Sequence, residues 1–293
     1  RARNIRRPYP WRKPVARMII KFTKMHGLGN DFMVIDGINQ SVSFTSKQVA
    51  EWANRHFGIG FDQLLLVEKP QTDAALFKYR IFNSDGGEVT QCGNGARCFA
   101  RFVTEKGLTD QTIIPVETDS GLLQLKMINA THVEVNMGIP NFEPANIPLD
   151  TDKRMESYQL GISGHVVEFS ALSIGNPHAV IIVENIDTAD VENIGPALES
   201  HPFFPQRVNV GFMQILNRNE FKLRVFERGV GETQACGSGA CAAMAAAVQL
   251  DLIDSNATAH LTGGQLQLSW QGEGQPVMMT GSTAQVYEGE INI

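Results

Sequence analysis

Four cysteines in 293 residues, Cys92, Cys98, Cys236 and Cys241, are too few to staple a chain of this size. A disulfide scaffold is therefore excluded, and reduced thiols are expected. No apolar run approaches the roughly 20 residues that cross a bilayer, and no basic segment leads into a secretory hydrophobic core. A membrane partner is not expected, and a cytoplasmic location follows. Acidic residues are missing from residues 1–17, which carry Arg1, Arg3, Arg6, Arg7, Arg12, Lys13 and Arg17 and are broken by Pro8, Pro10 and Pro14. Such a stretch reads as a basic, poorly ordered tail, an appended leader or a start placed too far upstream. Without those seven bases the body holds 18 basic against 31 acidic residues, about −13, and nucleic acid is not an expected partner.

What is present is a soluble-type mixture of 43% hydrophobic and 19% charged residues. Short β-branched runs at Phe32 to Ile35, Leu64 to Val67, Val133 to Val135, Val180 to Val183 and Leu223 to Phe226 alternate with turn residues. Helical patterns cover Lys47 to His56, opened by a Thr45/Gln48 capping box, Asn94 to Glu105, Val191 to Ser200 and Ser238 to Leu250. The expected fold class is α+β.

The chain also repeats itself. GEVTQCGNGA at 87–96 and GETQACGSGA at 231–240 agree at six of ten positions with an offset of 144, and Phe82 pairs with Phe226 at that offset. GND at Gly29 to Asp31 echoes GNP at Gly175 to Pro177, offset 146, and GFDQ at Gly60 to Gln63 echoes GFMQ at Gly211 to Gln214, offset 151. Two pseudo-symmetric α/β halves with a cleft between them are expected, residues 18–137 and 138–281. The boundary falls in the turn-rich GIPNFEPANIP that follows Met137, and 282–293 cross back to complete the first half.

In each repeat a strand, Tyr79 to Asn83 or Leu223 to Glu227, enters a Gly-rich turn, reaches Cys-Gly-x-Gly-Ala and becomes helical. A cysteine there sits at a helix N-terminus, where free amides and the dipole favour an anion and lower a thiol pKa. Two such turns facing each other would put a thiol on either side of one small molecule, the arrangement that stereoinversion at an α-carbon requires. Cys98 and Cys241 fall on apolar helical patterns and are expected to be core residues. A zinc site from all four cysteines is disfavoured by their spacing, and neither loop has the Gly-Lys-Ser/Thr ending of a phosphate loop.

KMHGLGNDF (Lys24 to Phe32), GFDQ, FNSDGGEVTQCGNGARC (Phe82 to Cys98), GNPH (Gly175 to His178) and ERGVGETQACGSGAC (Glu227 to Cys241) resemble the motifs of the diaminopimelate epimerases, in order, from about Met18 to the C-terminus. The resemblance implies a cofactor-independent isomerase that interconverts LL- and meso-2,6-diaminopimelate in bacterial lysine and peptidoglycan-precursor synthesis, with neither pyridoxal phosphate nor metal. It implies Cys92 and Cys236 as the acid/base thiols and His178 and Glu227 as residues that tune them. It implies substrate contacts from Asn30, Gln63, Asn83, Gly93, Asn94, Asn176, Asn209, Glu227, Arg228, Gly237 and Ser238, and a homodimer to which Tyr287 could contribute. That set suits a molecule with two amino-acid ends, because amides read both ends, a carboxylate meets an ammonium and an arginine meets the distal carboxylate.

Two other readings compete. A proline or hydroxyproline racemase shares the two-cysteine logic, but Arg228 beside Glu227 has no distal carboxylate to bind there. A non-catalytic amino-acid-binding or redox protein would use Cys92 and Cys236 as a reversible disulfide and would bind without exchanging the α-proton.

Overall fold

The computed structural model describes residues 19–89, 93–162 and 164–292; the basic tail, Met18 and Cys92 lie outside these. Among the described residues four α-helices punctuate an otherwise β-rich fold: α1 Ser46–Ala53, α2 Gly93–Glu105, α3 Val191–Glu199 and α4 Gly237–Gln249. At α1 the capping box forms as expected, with Gln48 N donating to Thr45 Oγ1 at 3.3 Å and Thr45 N to Gln48 Oε1 at 2.9 Å. The helix stops at Ala53, short of the expected His56, because Asn54 turns extended and its Oδ1 takes the amides of His56 and Phe57, both at 2.9 Å. In α4 every residue from Gly239 to Ala247 is buried, the signature of a helix enclosed on all sides rather than lying on a surface.

The strands repeat one pairing sequence twice. Ile19–Gly27 runs antiparallel to Asn30–Asp36, which runs parallel to Gln63–Glu68, antiparallel to Phe77–Asn83 and then parallel to Ile113–Thr118, with Gly121–Met127 and His132–Asn136 following antiparallel. His165–Ser173, Pro177–Ile182, Asn209–Asn217, Glu220–Glu227, Asn256–Leu261, Gly264–Ser269 and Met278–Ser282 repeat the same senses in the same order. The two sets join where His132–Asn136 pairs with Met278–Ser282, and Ala284–Asn292 returns to lie antiparallel on Ile19–Gly27.

Register identifies equivalent residues more sharply than sequence similarity does. Ile81 faces Val89 and Phe82 faces Glu88 in the first repeat, while Val225 faces Thr233 and Phe226 faces Glu232 in the second, all at the offset of 144. Phe32 faces Gln63 where His178 faces Asn209, an offset of 146. The counterpart of Gln63 is therefore Asn209, and the GFDQ/GFMQ echo is a coincidence. Gly211 to Gln214 lie inside a strand, whereas Gly60 to Asp62 form the approach to one. The GND/GNP echo holds, with Gly29 (φ 87°) and Gly175 (φ 80°) both in the left-handed region that glycine tolerates without strain.

Helices α2 and α4 share one central core, in which Phe77, Tyr79 and Phe99 of the first repeat join Val225, Met244 and Met279 of the second. Smaller cores lie beneath α1, around Val49, Trp52 and Phe82, and beneath α3, around Val191, Leu198 and Phe169. Each such large apolar side chain contributes about 1.5–3 kcal/mol on burial, so the shared core holds α2 and α4 firmly side by side. Their N-termini meet at one point, and there the sequence motifs converge.

Candidate active site

Cys236 is the N-cap of α4, and its thiol is buried and free. Ala240 N makes the first helical bond, to Cys236 O at 3.0 Å, so the amides of Gly237 and Ser238 stand outside the helix ladder. The amide of Gly239 is turned onto the Cys236 sulfur, Ser238 Oγ lies 3.6 Å from it, and the thiol bonds the Glu227 carboxylate, whose Oε1 also accepts from Thr233. A Cβ at Gly239 would sit 3.2 Å from the sulfur and 3.0 Å from Val225, so glycine is what allows this close approach.

The expected lowering of the thiol pKa at a helix N-terminus is not what Cys236 experiences. Burial pushes the thiol well above its usual range, the Glu227 charge adds to the rise, and the bonds from Ser238 and Gly239 only partly oppose them. Glu227 is itself raised by burial, against the hydrogen bonds from Thr233 and Cys236. In this closed, water-poor site desolvation outweighs the dipole, and Cys236 is held as the thiol.

On the facing helix Gly93 opens α2, one residue after Cys92 in the chain. A Cβ at Gly93 would lie 3.1 Å from both the Met137 and the Met279 methyls, and one at Gly237 would lie 3.2 Å from the Met279 sulfur. One thioether thus packs against the first residue of each helix. Asn94 spans the gap between the repeats: its Nδ2 donates to Ala235 O, the carbonyl just before Cys236, at 2.9 Å.

Around these turns the polar residues fall into matched pairs. Asn94 Nδ2 lies 3.4 Å from Asn30 Oδ1, and its counterpart Ser238 Oγ lies 3.5 Å from Asn176 Nδ2. Gln63 Nε2 donates to Asn83 Oδ1 at 2.9 Å, while the equivalent Asn209 spends its side chain on the other hairpin, donating to Pro177 O and accepting from Arg228 N, both at 3.0 Å. Gln63 Oε1 is buried with no partner among the described residues.

The pairs differ in charge where it matters. Glu227 stands opposite Asn83 and His178 opposite Phe32. His178 is fully buried, and burial, assisted by the nearby Arg228 charge, pushes it down to about 3. Its neutral ring places Nε2 3.0 Å from Asn176 Oδ1, which requires the Nε2–H tautomer. Arg228 is exposed, reaches Gln206 O at 3.1 Å, and projects a cation at the rim. Sequence reasoning singled out the polar residues of these pairs, Cys236, Glu227, His178 and Arg228, but missed Thr233, Gly239, Met137, Met279 and the support around Asn30. There Arg55 grips Asp31 in two bonds of 3.0 and 2.8 Å, and Asp62 Oδ2 accepts from Asn30 Nδ2 at 3.0 Å. Burial alone would raise the Asp31 carboxyl, but Arg55 and Lys24 bring it down to about 2. Both acids already lay inside quoted motifs, GND and GFDQ. Cys98 and Cys241 are fully buried in α2 and α4, as expected of core residues. A cavity of about 680 Å³ lies elsewhere, between Ile19–Gly27, Ala284–Asn292 and the end of α2.

The chain superposes on a hydroxyproline epimerase from Agrobacterium vitis with a TM-score of 0.66, 14% identity, and coverage of 94% of this chain and 93% of that one. Fold and site together define an isomerase built from two like halves with a Cys-Gly-x-Gly turn in each. The diaminopimelate epimerase family model matches residues 22–143 and 170–286. Diaminopimelate epimerases of Ectopseudomonas mendocina and Nitrosomonas europaea are each 56% identical over 276 residues, covering 94% of this chain and 100% of each relative. The chain belongs to the diaminopimelate epimerase family.

Proposed function

We propose that the chain interconverts LL- and meso-2,6-diaminopimelate by a two-base thiol mechanism, serving lysine and peptidoglycan-precursor synthesis in the bacterial cytoplasm. One observation carries the reading: Asn94 of the first Cys-Gly-x-Gly-Ala turn donates directly to Ala235 O of the second, which binds the two turns to one shared site. Cys92 and Cys236 act on opposite faces of the α-carbon. When one thiolate removes the α-proton, charge develops on the carboxylate, where the free amides of Gly93, Asn94, Gly237 and Ser238 stabilise it. The other thiol then gives its proton to the opposite face. Each turnover exchanges the protonation states of the pair, so the enzyme is left ready for the reverse reaction.

On this reading Cys236, resting as the thiol, is the acid in one direction, and Glu227 and His178 tune the pair. Asn30, Gln63, Asn83, Asn176, Asn209 and Glu227 read the amino and carboxylate groups, and Arg228 takes the distal carboxylate. Arg228 is also what disfavours a proline-type substrate. Residues 18–137 completed by 282–293 and residues 138–281 form the two lobes. The edge strand Ala284–Asn292, with Val286 and Tyr287 exposed, suits a homodimer contact.

Proton NMR of LL-diaminopimelate in D2O with reduced protein tests the reading. Loss of the α-proton signal with appearance of meso product, abolished by Cys92→Ala or Cys236→Ala, is expected. Binding with no exchange by the folded wild type would instead identify an amino-acid-binding protein.

A further inference from the structure

One large cation is buried where the two thiol turns meet. Arg97 lies on α2 one turn beyond Asn94, and among the described residues it is the largest side chain with no exposed surface. Its NH2 group donates to Asn94 Oδ1 at 2.9 Å, and its NH1 group lies 3.7 Å from the Met279 sulfur. Two glycines keep its chamber open. A Cβ at Gly281 would stand 2.9 Å from Arg97 Nε, and one at Gly27 would stand 3.3 Å from NH2. The second repeat carries Cys241 at the equivalent position, so the molecule has one such guanidinium for two turns.

The chemistry of the pair Arg97–Asn94 is directional. Guanidinium can only donate, so it compels the Asn94 carboxamide to present oxygen to it and NH2 to the opposite side. That side holds two acceptors, Ala235 O at 2.9 Å and Asn30 Oδ1 at 3.4 Å. With the amide reversed, Asn94 Oδ1 would meet both oxygens without a proton between them. We infer that Arg97 is a positioning residue for stereoinversion: by locking the flip of Asn94 it sets the spacing between the two Cys-Gly-x-Gly turns. Among the described residues no other hydrogen bond joins a side chain of the first turn to the backbone of the second. The guanidinium also adds positive charge behind the amides that receive the carboxylate, in a setting where water does not screen it.

This inference rests on the two-base reading, and the experiment separates the two. Wild type, Arg97→Lys and Arg97→Met are compared for kcat and KM in both directions, with pH profiles, after circular dichroism and thermal melts establish the folded fraction. In Arg97→Met the amide is free to reverse, and kcat per folded molecule should fall by roughly tenfold to a hundredfold while KM changes much less, as expected when reacting groups lose registry. Lysine still donates to Asn94 Oδ1, so Arg97→Lys should recover most of kcat. If Arg97→Met melts earlier yet keeps kcat per folded molecule, the residue is merely a core element and the inference is wrong. A lysine variant as impaired as the methionine variant also overturns it, because a donor to Asn94 would then not suffice. If Arg97→Met does not fold, the comparison of Arg97→Lys with Asn94→Asp decides. Asp presents acceptors on both sides, so it should lose kcat while Arg97→Lys keeps it. Absence of epimerisation by the wild type would count against the two-base reading itself.

Discussion

Replacing Glu227 by Gln removes the carboxylate that bonds the Cys236 thiol while keeping a group of the same shape. A unit charge about 4 Å away, at an effective dielectric near 20, is worth about 4 kcal/mol. At about 1.4 kcal/mol per pKa unit that sets an upper bound of about 3 units on the fall of the Cys236 pKa. Burial raises the Glu227 carboxyl too, so a fall short of that bound is the expected change. The measurement is the rate of alkylation by iodoacetamide against pH in a Cys92→Ala background. Cys98 and Cys241 are enclosed in their helices and do not compete while the protein is folded. The alkylation midpoint in Glu227→Gln should move to lower pH within that bound. A midpoint unchanged within about 0.3 units, in a protein whose melting shows it to be folded, would refute the claim that the carboxylate charge holds this thiol protonated.

Three further expectations follow from other contacts. His178 titrates at about 3 when folded and near 6.5 when unfolded, so protons bind the unfolded chain preferentially between those values. Its contribution to stability is fully present above about pH 6.5 and is lost as pH falls toward 3, at up to about 1.4 kcal/mol per pH unit; denaturant unfolding of His178→Gln should show a correspondingly flatter acid limb. In Gly239→Ala the new methyl presses on the Cys236 sulfur and Val225 at 3.2 and 3.0 Å, so kcat should drop at least tenfold with little change in the far-ultraviolet spectrum. Asn209→Ala abandons Pro177 O and Arg228 N and should cost about 1–3 kcal/mol in denaturant unfolding while raising KM, since the Glu227–Arg228 corner loses its tie.

Much of the site was legible because its local chemistry is short-range. A Gly-rich turn, a cysteine and an apolar helix occupy one contiguous stretch, and their duplication 144 residues apart tells that the two act together. The capping box of α1 and the core placement of Cys98 and Cys241 were equally local. The error over GFDQ and GFMQ has the opposite origin. Four-residue similarity says nothing about strand register, and the pairing of Phe32 with Gln63 and of His178 with Asn209 assigns the equivalence instead. The direction of the Cys236 shift was out of reach for the same reason. Its helix position is written in the sequence, but the burial and the Glu227 contact that outweigh it arise from packing.

The sequence by itself determined the α+β class, the internal duplication and the residue types at each turn, because periodicity, turn chemistry and repeat spacing are carried by neighbours in the chain. Only the tertiary structure decided which equivalent residues differ in charge, and that Asn94 bonds across to Ala235 under the control of a buried Arg97. Those facts depend on groups more than a hundred residues apart being packed together without water, where a single unpaired charge or reversed amide is costly.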